Sequence, residues 1–458
     1  MNENITVKPG TLERLRNDQR PIHLVLIATK PDIIKQAPLI LELKKQKENL
    51  LIVHSGQHYD WKLSKGLEVE FDIDPDINLN VKGSKLHEQQ SQIIQRFGEV
   101  IDDIKKINKK IIPYTYSDTT TAVAGGVASF ANRIAVVHIE AGLRTMSPPN
   151  KIITGLLKNF DVVDYFENLK KPKGWRKGSY EPYPEQFDTR ASAPSAGIHF
   201  APTELNRKNL VREGYDEKRI FVVGNPVVDI IRITEKKIAK STIFDKYPKL
   251  KEGNFIRFCI HRRENVSSKQ RFKSLILAIE KLVKEGKNIL FISLGATERA
   301  IDEFGFREII NELVKKHDNF IYSLVWPNYL DVIAAMKKCR VIATDSGSIQ
   351  EEANALGIPT VTLRFNTDRP ETVFLGSNII APPIREDIVY KIVKEVYENE
   401  NLNKKMSGAK KIYGSNVSKK MIKVVKKVIT SGPLFYWLEH QRLGFDKYSF
   451  WEKGELEW

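Results

Sequence analysis

Residues 340–352 read RVIATDSGSIQEE, and the fold follows from how they are read. A short apolar run ends in an aspartate, a turn of serine and glycine follows, and a helical pattern begins at once. A buried strand that empties into a small polar turn and feeds a helix is half of a βαβ unit. The same handover recurs in both directions along the chain. Upstream, FIRFCI (255–260) runs into HRREN, NILFISL (288–294) into a helical stretch, and NFIYSL (319–324) into another. Downstream, TVTLRF (360–365) runs into NTDRPE. Helices are predicted near 269–285, 304–316, 328–338, 348–356 and 385–399. The first half repeats the rhythm with HLVLIA (23–28), LLIVH (50–54), IIPYTY (111–116), IAVVHIE (134–140), IHFAP (198–202) and RIFVVG (219–224). Between them lie helical patterns at 33–46, 86–107, 119–131 and 204–213. Apolar runs without polar alternation suit strands buried on both faces, hence parallel sheets.

An α/β chain with two doubly wound, Rossmann-like domains facing a cleft is therefore expected. The N-terminal domain would span 1–224 and be completed by 412–458, with 225–411 forming the second domain and a hinge at Gly224–Pro226. Length agrees: 458 residues make two or three domains at roughly 100–200 residues each. The two cysteines, Cys259 and Cys339, sit in apolar stretches and read as buried thiols of a reducing compartment. With 73 Lys+Arg against 57 Asp+Glu the net charge is +16, but the lysines are scattered over helical faces, so no nucleic-acid partner is expected. No apolar run approaches the ~18 residues of a membrane span, and the polar N-terminus has no signal-peptide core, so a cytoplasmic location is expected.

One segment breaks the rhythm. Residues 146–183, rich in Pro, Gly, Lys and aromatics, connect a strand to the next helical pattern. So long a connection is either a lid at a binding pocket or a surface insertion remote from chemistry. At the other end, a basic helix near 415–430 precedes an aromatic-rich tail, expected to pack on the body of the protein.

Polar clusters follow the strands, where a doubly wound sheet keeps its ligands. ATKPDIIK brings Lys30 and Lys35 to a helix start, and SDTTT brings Asp118, whose ordinary reading is a helix N-cap. HIEAGLRT places His138, Glu140 and Arg144 at one strand end, and a carboxylate directly after an apolar run is costly unless paired or used. HRREN offers His261, Arg262 and Arg263 as a diphosphate clamp. Ser346, Gly347 and Ser348 open a helix whose N–H groups suit phosphate, and Glu351 or Glu352 suits a ribose diol. RFNTDRPE gathers Arg364, Asp368, Arg369 and Glu371. Together they describe a nucleotide-diphosphate ligand in the C-terminal domain with acid/base chemistry from across the cleft. There is no GxGxxG after a strand, no P-loop and no Cys/His metal spacing, so neither a cofactor nor a metal is expected.

These motifs, in this order, resemble the non-hydrolysing UDP-N-acetylglucosamine 2-epimerase family, of GT-B-type fold. The matching stretches are ATKPDIIKQAP, SGQHYD, SDTTTAVAG, HIEAGLRT, PEQFDTR, HFAPTELNRKNLVREG, VVGNPVVD, HRREN, DSGSIQEE and RFNTDRPE, over about residues 22–425. The resemblance implies inversion at C2 of a UDP-2-acetamido sugar, by loss of UDP to a bound 2-acetamidoglycal and its re-addition, for polysaccharide or glycan precursors. It implies catalytic Asp118, Glu140, Glu185 and His261. It implies substrate binding by Lys30, Lys35, Arg144, Arg262, Arg263, Ser346, Gly347, Ser348, Glu352 and Arg369, and a homodimer. Three departures stand out. The family's GTRPE reads ATKPD, its DSGGIQEE reads DSGSIQEE, and an asparagine–arginine pair after PEE reads Asp188 and Thr189. They point toward an altered sugar, such as a diacetamido or uronic-acid form. The alternatives are a hydrolysing epimerase, a GT-B glycosyltransferase and a UDP-sugar-binding protein without turnover.

Overall fold

The computed structural model describes residues 3–56, 66–83 and 85–431. Its strands, in chain order, are β1 (Thr6–Val7), β2 (Ile22–Ile27), β3 (Leu50–His54), β4 (Ile77–Asn78), β5 (Ile111–Tyr116), β6 (Val136–Ile139), β7 (Met146–Ser147), β8 (Arg176–Lys177), β9 (Ala196–Ala201), β10 (Ile220–Val222), β11 (Phe255–Cys259), β12 (Ile289–Ser293), β13 (Phe320–Leu324), β14 (Cys339–Thr344), β15 (Thr360–Thr362) and β16 (Asn378–Ile380). The first sheet has the order β1-β4-β3-β2-β5-β6-β9-β10 and is parallel except at β1, which pairs antiparallel with β4. The second, β13-β12-β11-β14-β15-β16, is parallel throughout. Two doubly wound sheets are thus present.

Strands β2, β3 and β5 are buried along their whole length, as their unbroken apolar runs require. The helix predicted over 86–107 is Leu86–Ile107, and its apolar stripe Ile93, Phe97, Val100, Ile101 and Ile104 packs beneath the first sheet. Two differences have local causes. The helix expected near 304–316 is Arg307–Lys316, and an unexpected helix, Gly295–Glu303, precedes it, the two parted at Gly305, whose φ is 79°. The edge strands β1 and β16 and the inner strand β4 are two or three residues long, too short for a periodic signal.

The two sheets do not carry wholly separate cores. Val25 and Ile139 of the first, with Ile33 and Ile40 of the helix Lys30–Lys45, share one buried cluster with Ile342 of the second and with Tyr329, Ile333 and Ala353 of its flanking helices. The closing helix Val417–Ser431 returns to the first sheet, placing Val417, Met421, Ile422 and Val425 in that same cluster. Gly224 marks the crossover. Its φ is 100°, and a Cβ there would lie 2.3 Å from the carbonyl oxygen of Tyr413, so only glycine lets the returning chain pass. The aromatic tail beyond 431 and the QHYD of SGQHYD lie outside the described residues.

The connection 146–183 is neither an open loop nor remote. It folds as a β7–β8 hairpin with helices Asn150–Gly155 and Val162–Leu169. The second is capped by Asp161, whose side chain accepts from the Asp164 N–H at 2.8 Å. Leu156, Val162, Tyr165, Phe166, Leu169 and Trp175 belong to the same buried cluster as Phe258, Phe291 and Ile380 of the second sheet. The Tyr165 hydroxyl donates to the Ile380 carbonyl at 2.8 Å, and Lys391 donates to that of Phe160. Met146 and Thr367 exchange two backbone hydrogen bonds, of 2.9 and 3.1 Å. A segment leaving the first sheet is therefore fastened to the second.

Candidate active site

Carboxyl ends of strands from both sheets meet in one cleft. On the second sheet the organiser is Asp345, directly after β14. It accepts from the backbone N–H groups of His261 (3.0 Å) and Arg262 (3.0 Å) and from the Asn265 side-chain amide (2.9 Å). One carboxylate thus sets the shape of the whole HRREN loop. The His261 Nδ1 lies 3.2 Å from Asp345. Burial lowers the imidazole pKa, against the pull of Asp345. Ser346 stands as N-cap of helix Gly347–Leu356. A Cβ on Gly347 would lie 2.7 Å from Asp368 Oδ2, so glycine allows the RFNTDRPE loop to close on this helix start.

The two sheets are bolted together by charge. Lys35, on helix Lys30–Lys45, is 1% exposed and donates to both Glu140 of the first sheet and Glu351 of the second. Arg369 donates to Glu351 from the other side and stands 3.8 Å from Glu140. Glu140 also accepts from Tyr116 at 2.7 Å and from Asn225. Burial alone would raise the Glu140 pKa, but Lys35 and Arg369 override it and hold the group ionised. Burial instead pushes Glu351 upward, and the neighbouring Glu140 adds to this. Glu140 has φ 59° and Ser117, at the end of β5, has φ 47°. Left-handed backbone at two adjacent strand ends, in residues with side chains, marks a functional site.

Asp118 is not an N-cap. Thr119 caps helix Thr120–Ala131, accepting from Ala122 N–H at 3.1 Å, which leaves the Asp118 carboxyl to face the cleft charges. Burial pushes it up to about 6; Arg369 opposes this, and Glu140, Glu185 and Asp368 reinforce it. Asp188, on helix Glu185–Ala191, accepts from the Thr120 hydroxyl at 3.2 Å and is pushed up to about 7, by burial first and by Asp118 and Glu185 next. Glu185 itself pairs with Arg262 through one oxygen, while its buried Oε2 has no partner among the described residues. Asp118, Glu140, Glu185, Arg262, Asp368 and Arg369 thus form one interacting group. A carboxyl near neutrality beside a fixed cation array can move protons at a bound ring and stabilise a departing anion.

Other residues singled out in the sequence lie as follows. Lys30 reaches across the cleft, Nζ to the Trp326 carbonyl at 3.0 Å. Glu352, 5% exposed, accepts from Tyr329 at 3.0 Å. Ser348 is half-buried at the helix start. Two of the residues expected to bind substrate are engaged by other side chains. Arg144 is buried and committed to Glu213, Nε to Oε1 at 2.7 Å, and to the Leu143 carbonyl, Nη1 to O at 2.7 Å. Arg263 is exposed and stacks over the Tyr183 ring at 5.6 Å instead of joining Arg262. Sequence reasoning also passed over Asp345, Tyr116 and Asn225 as site residues. Only Asp345 left a signal, a charge closing an apolar run.

The profile of the family described as UDP-N-acetylglucosamine 2-epimerase matches residues 41–151 and 174–426. The gap it leaves, 152–173, carries the helix Val162–Leu169 and most of the helix Asn150–Gly155. The chain is similar to the UDP-N-acetylglucosamine 2-epimerase of Methanocaldococcus jannaschii, 31% identical over 389 residues, covering 83% of this chain and 93% of the other. It is 31% identical over 405 residues to that of Bacillus subtilis, covering 87% and 93%. Its structure superposes on the Neisseria meningitidis UDP-GlcNAc 2-epimerase bound to UDP-GlcNAc with a TM-score of 0.73 and 27% identity, covering 89% and 100%.

Proposed function

Since the chain belongs to the UDP-N-acetylglucosamine 2-epimerase family, it is an isomerase acting at C2 of a UDP-2-acetamido sugar, and we propose the following assignment of its residues. Asp118 and Glu185 are the acid/base pair at the sugar ring. His261, Arg262 and the helix start at Ser346, Gly347 and Ser348 hold the diphosphate, and Glu352 holds the ribose. Glu140 is a positioning residue: all its charge is committed to Lys35, Arg369, Tyr116 and Asn225. The observation that carries this reading is the convergence of a near-neutral Asp118 with Arg262 and Arg369 at the ends of two facing sheets.

In the forward half-reaction the C2–H bond and the C1–O bond to UDP break and a C1=C2 double bond forms. The proton goes to a carboxylate and UDP leaves as an anion held by the cations. Re-addition delivers a proton to the opposite face of C2 and restores the C1–O bond, so the atoms balance without a redox partner. The C2–H of an amido sugar is a weak acid, which is why charge on the leaving group must be stabilised as it develops. To the same proposal belong the domain limits 1–224 with 412–458 and 225–411, a homodimer and a cytoplasmic location. No helix among the described residues is long and apolar enough to cross a membrane.

The test is incubation with UDP-GlcNAc in D2O, followed by proton NMR. Loss of the C2 proton signal with UDP-ManNAc appearing and no free UDP is expected. Accumulation of free UDP and free sugar would replace this reading with a hydrolysing one. No exchange would refute UDP-GlcNAc as the substrate and move the test to 3-acetamido and 6-carboxyl UDP-sugars.

A further inference from the structure

Strand β11 is buried end to end, and along it Ile256, Phe258 and Ile260 enter the core of the second sheet. The alternate side carries Phe255, Arg257 and Cys259. Arg257 is 5% exposed, and its Nε and Nη1 have no hydrogen-bond partner among the described residues. Among the described residues no carboxylate forms an ion pair with it. A buried guanidinium left without acceptors is destabilising, and an apolar side chain at this position would remove that cost. The strand therefore holds a donor pair that no described residue accepts from.

The position identifies what the donors meet. Arg257 is flanked in register by Leu290 of β12 and Ile342 of β14. Leu290 belongs to the cluster containing Trp326, and Ile342 to the cluster containing Tyr329. Arg257 thus lies at the seam between the two, where Lys30 crosses to the Trp326 carbonyl and Tyr329 bonds Glu352. Its charge is felt at Lys30, Cys259 and Glu352. The groups assigned to the diphosphate begin four residues later at the strand end, with His261, and at the helix start Ser346–Ser348.

We infer that Arg257 is a nucleotide-binding residue whose free Nε–H and Nη1–H donate to acceptor oxygens on the nucleoside half of the UDP group. This rests on the UDP-sugar reading above and adds to it a base- or ribose-selecting donor inside the sheet. An arginine fork suits two acceptors at once, which lysine cannot match.

The experiment uses the full chain with Arg257→Met and, as a charge-keeping control, Arg257→Lys. Melting curves without ligand are combined with calorimetric titration by UDP and by UMP. Arg257→Met is expected to melt at or above the wild-type temperature, while binding UDP and UMP about tenfold more weakly, by the same factor. Arg257→Lys is expected to bind more weakly than wild type also, and KM to rise with kcat at saturation unchanged. A lower melting temperature with unchanged affinities would make Arg257 a structural residue and overturn the inference. Weakened UDP with unchanged UMP would place it on the terminal phosphate, also overturning it. Wild-type protein that binds neither nucleotide would instead refute the UDP-sugar reading on which the inference rests.

Discussion

Replacing Lys35 with methionine tests the ionic bolt directly. The substitution keeps the length and apolar stem and removes the one ammonium shared by Glu140 and Glu351. Both carboxylates are fully buried, so neither can turn to water, and among the described residues Arg369 remains as their only common cation. Breaking a buried ion pair from one side costs about 3–5 kcal/mol. The loss need not reach its full size at every pH. Glu140 is held ionised by Lys35 and Arg369, and without Lys35 its pKa rises, so it takes up a proton more readily and the repulsion is relieved at low pH. With roughly 2.1 cal/mol/K of unfolding entropy per residue, a chain of 458 residues loses about 3–5 °C in melting temperature at pH 8. The assay is a melting series of wild type and Lys35→Met from pH 5.5 to 8. A gap that widens with pH supports the bolt. A gap below 1 °C at pH 8, or one independent of pH, would show that the contacts do not act as a coupled ionic unit.

Further outcomes follow from the same structure. Asp118→Asn should lower turnover by about two decades or more while UDP affinity, read by titration, stays within about threefold; equal loss in both would remove it from the chemistry. Stability of the ligand-free protein should fall as pH rises from 5 to 8. Asp118 near 6, with Asp32, Asp188 and Glu371 near 7, all have folded pKa values above the unfolded range, so the folded state holds protons that the unfolded chain releases in that window. Asp188→Asn should flatten part of that slope, and a melting temperature that rose across the interval would contradict it. Phe166→Ala, which empties a fully buried seat beside Gly376, should cost about 3–5 kcal/mol in a denaturant titration, whereas a change under 1 kcal/mol would mean that the connection is not part of that core.

Much of this was legible in the sequence because strands buried on both faces carry unbroken apolar runs, and β3 and β5 fall at the residues read for them. The strand-end rule pointed to Asp118, Glu140, His261 and Ser346 for the same reason, since each stands within two residues of the end of an apolar run. Partnership was not legible. Whether Arg144 meets substrate or Glu213 depends on a residue 69 positions away, and no local pattern records it. Asp118 was obscured by chemistry common to all helix starts: Asp and Thr both cap, and only the backbone decides that Thr119 does so. The connection was misread because its helices are short and owe their order to the second sheet, not to their own periodicity.

That fastening limits how this protein can be divided. The crossover at Gly224 looks like a natural place to cut the gene into two exchangeable modules. Yet the cover for part of the second sheet is encoded upstream of the cut, in residues 156–175, and the closing helix of the first sheet is encoded at the far end. A fragment spanning 225–411 made alone would show bare apolar seats where Phe166, Leu169 and Trp175 belong, and would be prone to self-association. Swapping halves with a relative that lacks the 152–173 segment would leave the same seats empty. Inheritance of the C-terminal half as a working unit therefore requires the N-terminal connection to travel with it.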